Sequence, residues 1–295
     1  MTDHFVTPAS IPNFLYVGTS KSGSTWLLNA LALHPDVYLA PSKGLYYFDQ
    51  HFSKGAQWYA SNFAGAAGET AVGEISHSYL SSEHAAERIA DLNPAMRILA
   101  CLREPADRAF SDYLDLVKNG QHDGSFETAL ERFPRLIDRG RYAAHLTRYF
   151  DRFPREQMHV SLYDDLSADA QAYADTIFNF LEIAPFELPR SALQRRMPAG
   201  VPRSTLAASA TKKASRLVLR LGLRRLRSTV KRSAAVRQTL YRPYKDDKPT
   251  MAAETAEHLR SVFAPDVREL DVLLGQDISR RWGYHSDTPT HNAGV

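Results

Sequence analysis

The chain has 295 residues with 36 basic and 33 acidic side chains, a formal charge of +3, and 44% hydrophobic residues. That length and apolar share suit one large folded unit and exclude a disordered or fibrous chain. The single cysteine, Cys101, excludes an internal disulfide framework, and the short polar start from Met1 to Pro12 reads as neither signal peptide nor membrane span. The expected compartment is the cytoplasm.

In chain order, Phe14-Leu15-Tyr16-Val17 reads as a buried strand ended by Gly18. A Gly/Ser loop with one lysine follows, and a helical apolar pattern begins at Trp26. Strand, loop and helix N-terminus make an anion cradle: backbone N–H groups face the loop, the helix dipole favours negative charge, and Lys21 adds a full positive charge. Lys21, Ser22, Gly23, Ser24, Thr25 and Trp26 are the candidate contacts for a phosphorylated ligand. The loop is close to the nucleotide motif G-x-x-x-x-G-K-[ST], but Ser24 stands where that lysine should be, and the lysine has moved to position 21. The plainer reading is a tight turn with a surface lysine.

Ala71–Ile75 reads as the next strand, with His77 just beyond it. Arg97–Leu102 reads as another, ending in Arg103-Glu104-Pro105 and a helix through Ala109 to Tyr113. An arginine at a strand's carboxyl end and a serine one to two turns into the next helix, here Ser111, converge on one phosphate. Met158–Tyr163 is a further strand. Helical stretches between the strands predict an α/β protein with a parallel sheet covered on both faces. Ligands then lie at the carboxyl ends of the strands, where Gly18, His77 and Arg103 all fall.

Residues 212–232 carry nine basic side chains and no acid, interleaved with leucine and valine. This segment reads as a basic amphipathic helix on an anionic membrane, a lid over nucleotide and acidic acceptor, or a solvated helix beside the core. Few aromatics accompany the charges, so nucleic acid is not the expected partner. The eleven histidines are scattered, and no metal site is predicted; His122 with Asp123, and Asp164 with Asp165, read as surface or turn residues. Cys101 reads as a small core residue. The domain expectation is one unit over residues 1–295 with a basic helical addition at about 205–245.

Lys21-Ser22-Gly23-Ser24-Thr25-Trp26-Leu27 resembles the 5′-phosphosulfate loop, K-x-G-[ST]-[ST]-x-L, of sulfotransferases that use 3′-phosphoadenosine 5′-phosphosulfate (PAPS). Arg103, Glu104, Pro105, Arg108, Ser111 and Tyr113 resemble their 3′-phosphate motif, R-[DE]-P-x-x-R-x-x-S-x-Y. The stretch Ser42–Asp49 with Gly55 and Trp58-Tyr59, the segment Gly73–Leu80, and the later Gly140–Leu146 and Phe153–Gln157 look like segments of heparan-sulfate-type and related bacterial members. The likeness runs from about residue 13 to 166, with a recognisable end at Trp282-Gly283-Tyr284. It implies a P-loop-like three-layer sandwich with a central parallel sheet, PAPS as donor and no metal. It also implies that Lys21 neutralises the leaving oxygen while Arg103 and Ser111 hold the 3′-phosphate. Arg203 is a further candidate for that phosphate.

Two positions depart from the family pattern. The glutamate taken as base in the heparan-sulfate type is Gly44 here, and the lysine of the G-E-K segment is Ile75. Cytosolic members carry K-T-H at a strand end with the histidine as base, and Ile75-Ser76-His77 can be laid over it. Neutral imidazole accepts a proton near pH 7, which makes His77 the candidate base, against a turn histidine with a backbone partner. Asp49 is the second candidate, as base or as the group orienting the acceptor, against a cap or loop carboxylate. Tyr46, Tyr47 and Phe48 are either acceptor wall or core. The leading expectation is sulfuryl transfer to a hydroxyl or amine of a saccharide, glycolipid or secondary metabolite. The alternatives are a P-loop kinase or NTPase and a non-catalytic protein binding 3′-phosphoadenosine 5′-phosphate (PAP).

Overall fold

The computed structural model describes residues 11–193, 200–202, 241–243 and 249–284. Five strands, β1 (Phe14–Gly18), β2 (Val37–Leu39), β3 (Ala71–Ile75), β4 (Arg97–Leu102) and β5 (Met158–Leu162), form one sheet in the order β2-β3-β1-β4-β5. Every pairing in it is parallel. The α-helices among the described residues are α1 (Ser24–Leu31), α2 (Gly55–Ala60), α3 (Ala85–Leu92), α4 (Pro105–Lys118), α5 (Phe126–Arg132), α6 (Arg135–Asp138), α7 (Tyr142–Phe150), α8 (Tyr163–Ala168), α9 (Ala170–Phe180), α10 (Arg190–Leu193), α11 (Ala253–Leu274) and α12 (Ile278–Trp282). A short antiparallel pair, β6 (Gly200–Pro202) with β7 (Tyr241–Pro243), stands apart from the sheet.

β1 and all of β4 after Arg97 are apolar because both faces are covered, and the period of two sorts their side chains between two layers, while β3 carries the buried Glu74 and β5 carries His159 and Ser161. Phe14 and Tyr16 of β1, with Leu99 and Cys101 of β4, pack under Leu27, Leu28 and Leu31 of α1 and Ile177 and Phe178 of α9. Leu15 and Val17, with Ile98 and Ala100, meet Ile89 of α3, Ala109 and Leu116 of α4, Leu146 of α7 and Phe263 of α11 on the other side. Each fully buried leucine or phenylalanine stabilises the fold by about 2 kcal/mol. The result is the three-layer α/β sandwich that the sequence predicts. Cys101 is wholly buried in it, and burial pushes its thiol up to about 12.

Local sequence fixes where α4 begins. Pro105 takes the first helical position, and the Glu104 carboxylate accepts from the N–H groups of Ala106 (3.1 Å) and Asp107 (2.5 Å). The chain's far end locks this start: the Tyr284 hydroxyl donates to Glu104, and Trp282 Nε1 donates to Asp164 at 3.1 Å. Glu104-Pro105 and Trp282-Gly283-Tyr284 are therefore one structural unit, which positions Arg103 at the carboxyl end of β4.

Some details differ from the sequence reading. α1 starts at Ser24, ahead of its apolar pattern, and Tyr163 opens α8 instead of ending β5. The edge strand β2 has only three half-buried residues, too few for a readable alternation. His122 is buried, with Nε2 3.0 Å from the Ser125 carbonyl and its ring against Phe133. Asp164 and Asp165 are tied to Trp282 and Arg281. Arg203 and the basic segment 212–232 lie outside the described residues. No described helix is long and apolar enough to cross a membrane.

Candidate active site

The loop between β1 and α1 is built to present unsatisfied donors. Lys21 and Gly23 both adopt the left-handed region, at φ 71° and 83°. Gly23 is required there: a Cβ on it would also stand 2.5 Å from Leu166 Cδ2. No side chain caps α1 and no acid lies in its first turn, so its first N–H groups keep their partial positive charge. Ser22 is buried, and its hydroxyl has no hydrogen-bond partner among the described residues. Ser24 and Thr25 both accept from the Lys43 ammonium, at 3.1 and 2.6 Å. The Trp26 indole N–H donates to the Ala192 carbonyl at 2.8 Å and its ring meets Tyr173, so its side chain fixes α1 against α10 and α9.

A stripe of α4 faces this loop. Asp107, Ser111 and Asp115 recur four residues apart, on one side of the helix. Arg103 pairs with Asp107 at 3.3 Å, and Lys21 pairs with Asp115 at 3.5 Å. Ser111 thus sits between two cation-bearing turns. Arg103 also donates to the Lys21 carbonyl at 3.4 Å, and its guanidinium lies 5.1 Å from the Tyr163 ring centroid. The fully buried Arg108 anchors the arrangement from beneath, bonding Asp112 (3.3 Å), Ser20 of the loop (3.5 Å) and the Leu136 carbonyl. Arg139 reaches the same Asp112 at 3.4 Å.

The carboxyl end of β3 supplies the third wall. Glu74 is 1% exposed, and burial raises its carboxyl to about 7 against four hydrogen bonds that favour its charge. Those bonds come from Tyr79 (2.7 Å) and Tyr59 (3.3 Å) at one oxygen, and from Ser76 (3.2 Å) and the Leu45 N–H (3.3 Å) at the other. Together with Gly44 N–H on the Ile75 carbonyl (3.0 Å), they pin the 43–47 loop over the strand end. Tyr46 then folds back, at φ 53°, so that its hydroxyl lies 3.3 Å from His77 Nδ1. The two rings meet edge to face at 5.5 Å.

His77 is half-buried, and its pKa is lowered to about 4. Desolvation is the main cause, followed by the positive charges of Lys43 and Arg139. Asp49 accepts from the hydroxyl of Ser78, the residue after His77, at 2.5 Å and from the Gln50 N–H at 2.7 Å. Tyr47 and Phe48 are core residues; Tyr47 stacks on Tyr59 and Phe48 meets the same ring edge to face.

Lys21, Ser22, Gly23, Ser24, Thr25, Arg103 and Ser111 therefore gather at the carboxyl end of the sheet. His77 is linked to them electrically through Lys43 and Lys21. The sequence reading passed over two members, Lys43 and Glu74. Both stood inside segments quoted for their likeness, but nothing in the sequence shows that Lys43 reaches across to Ser24 and Thr25. Among the described residues no group of three or more His, Cys, Asp or Glu side chains is placed to hold a metal.

The Sulfotransferase domain family matches residues 12–269, so the chain belongs to that family. Human heparan sulfate glucosamine 3-O-sulfotransferase 5 is 28% identical over 59% of this chain and 54% of its own length. The bifunctional heparan sulfate N-deacetylase/N-sulfotransferase 1 of Caenorhabditis elegans is 29% identical over 61% of this chain and 23% of its own length. The chain thus spans about a quarter to about half the length of these relatives. Among solved structures, a sulfotransferase from Alicyclobacillus acidocaldarius superposes with a TM-score of 0.69 at 26% identity, over 92% of this chain and 99% of that one. Mouse SULT7A1 in complex with PAP shares the fold, with a TM-score of 0.52 at 13% identity, over 92% of this chain and 88% of that one.

Proposed function

We propose that this protein transfers a sulfuryl group from PAPS to a hydroxyl or amine of a saccharide. The observation that carries the reading is the convergence of two anion grips. The Lys21 loop and the Arg103–Ser111 stripe touch through Lys21–Asp115 and through Arg103 on the Lys21 carbonyl. A nucleotide with phosphates at both 3′ and 5′ needs two such grips, whereas ATP presents one polyphosphate chain. The saccharide class draws on the relatives, which are named for heparan sulfate. It also draws on the segment after Asp49: Phe52 is exposed with Arg88 4.2 Å from its centroid, and Lys54 lies 4.4 Å over Trp58. Aromatic faces carrying cations suit an anionic sugar chain.

In this scheme the acceptor oxygen or nitrogen attacks sulfur in line. The bond from sulfur to the bridging oxygen breaks, and its electron pair stays on the 5′-phosphate of PAP. The acceptor proton passes to His77. Lys21, the loop N–H groups and the Ser24 and Thr25 hydroxyls stabilise the charge on the departing phosphate. Transfer of this kind depends on positioning and charge stabilisation, which these residues supply without a metal. The proposed compartment is the cytoplasm, to be tested by cell fractionation.

Calorimetric titration in EDTA with PAP, beside ADP and ATP with and without magnesium, tests the donor site. Selective metal-free binding of PAP is expected. Magnesium-dependent preference for ATP would replace this reading with the NTPase. PAP binding with no transfer of label from PAPS to any heparan-type saccharide would overturn the acceptor class.

A further inference from the structure

We propose that Lys43 is a second catalytic cation of the sulfuryl-transfer site, delivered from the loop after β2 to the leaving 5′-phosphate oxygen. The inference rests on the donor site proposed above. Its geometric basis is that the Lys43 ammonium lies 3.1 Å from Ser24 Oγ and 2.6 Å from Thr25 Oγ1, the two hydroxyls that open α1. These hydroxyls flank the loop in which Ser22 Oγ has no partner. An ammonium held by both is within one side-chain movement of any phosphate seated on that helix end.

Its charge is uncompensated where it stands. Among the described residues no carboxylate lies within ion-pair distance of Lys43, whereas Lys21 has Asp115 and Arg103 has Asp107. A half-buried lysine facing a second lysine is unfavourable in the free protein. Desolvation and the Lys21 charge accordingly lower its pKa to about 8. A bound anion removes that cost.

The role in the reaction is specific. As the acceptor–sulfur bond forms and the sulfur–oxygen bond of PAPS breaks, negative charge grows on the oxygen left on the 5′-phosphate. Lys43 donates a hydrogen bond to that oxygen alongside Lys21, and the acceptor proton goes to His77. The groups facing Lys43 are Lys21 from the loop and His77 from the end of β3. Arg139 and Asp112 act on His77 beyond it.

Proton linkage tests this without an identified acceptor. PAP is titrated into the protein at pH 8 in two buffers of different ionisation enthalpy. The free lysine is half-charged there and becomes fully charged against phosphate, so wild type takes up about half a proton. Lys43→Arg stays charged throughout: it takes up none and keeps its PAP affinity within about threefold. Lys43→Met takes up none and binds PAP about tenfold more weakly. Unchanged uptake in either variant, or none in wild type, overturns the assignment of Lys43. Failure of wild type to bind PAP at all overturns the donor site itself, and Lys43 with it.

Discussion

The hydroxyl of Tyr46 lies 3.3 Å from Nδ1 of His77, and the Tyr46 ring fills the space that a side chain at Gly44 would need. A Cβ on Gly44 would stand 2.5 Å from Tyr46 Cζ and 2.7 Å from its hydroxyl oxygen. The loss of the family's glutamate and the presence of Tyr46 against the histidine are thus one structural event. A neutral imidazole has one N–H. If Nδ1 donates to the Tyr46 oxygen, Nε2 is left as the acceptor, the arrangement a general base requires. Tyr46→Phe keeps the ring and removes this orientation. We expect kcat to fall about fivefold to tenfold, in line with one hydrogen bond, with PAP affinity unchanged. An equal loss of PAP affinity would show that the hydroxyl serves the loop and not the base.

Restoring the glutamate should harm the protein. Gly44 sits at φ 73°, where any side chain is strained, and its Cβ position is occupied. Gly44→Glu is expected to lose at least about 1 kcal/mol of stability and to gain no turnover. Denaturant melts and PAPS turnover check this. A stable variant with raised activity would mean that the 43–47 loop re-forms around the new carboxylate.

His77 gives a pH signature. Its pKa is lowered to about 4, so the imidazole is neutral, and competent as a base, from neutral pH down to that value. The acid limb of kcat/KM should therefore fall near pH 4, and none should appear near 6.5. His77→Ala should cost at least about a hundredfold in kcat while PAP affinity stays within a few-fold. Because the Lys43 charge helps to hold the value down, Lys43→Met should move the acid limb upward. A limb that stays fixed in that variant would separate the two residues.

Glu74 couples stability to pH in the opposite sense. Its carboxyl ionises at about 7 in the folded protein and near 4.5 when unfolded. Between those values the folded state binds more protons, so this contribution is fully present below 4.5 and is lost as pH rises to 7. The span amounts to roughly 3 kcal/mol. Glu74→Gln cannot titrate. The stability difference between variant and wild type should therefore shift in favour of the variant as pH rises across this window. A pH-independent difference would mean that Glu74 is ionised throughout.

How much of this was legible in the sequence follows from what each residue depends on. The strands, the Lys21 loop and the Glu104-Pro105 helix start are local patterns, and each is fixed by neighbours a few residues away. β2 was not legible because three half-buried residues carry no period. Lys43 on Thr25 and Tyr46 on His77 were not legible because these contacts join residues 18 and 31 positions apart through side-chain direction, and Glu74 because its four bonds converge from Leu45, Tyr59, Ser76 and Tyr79. Gly44 and Ile75 appeared as two losses in the sequence. In the structure the Tyr46 ring occupies the space that a side chain at Gly44 would need, and Ile75 is buried in the apolar layer with Phe14, Tyr16 and Leu99.

The Lys21–Asp115 pair carries the last prediction. At 3.5 Å it holds the loop lysine against α4, and Asp115 is 46% exposed on its side chain. Phosphate must compete with that carboxylate for Lys21. A partly exposed pair of this kind contributes about 1 kcal/mol at most, so releasing it can gain up to about fivefold in affinity. Asp115→Asn should therefore bind PAP more tightly by up to about fivefold, most visibly at low salt, where the ion pair is least screened. Lys21→Ala should weaken PAP binding by at least about tenfold and make the Asp115→Asn change neutral, as a double-mutant cycle read by calorimetry would show. Weaker binding in Asp115→Asn would mean that the carboxylate orients Lys21 toward the phosphate and does not compete for it.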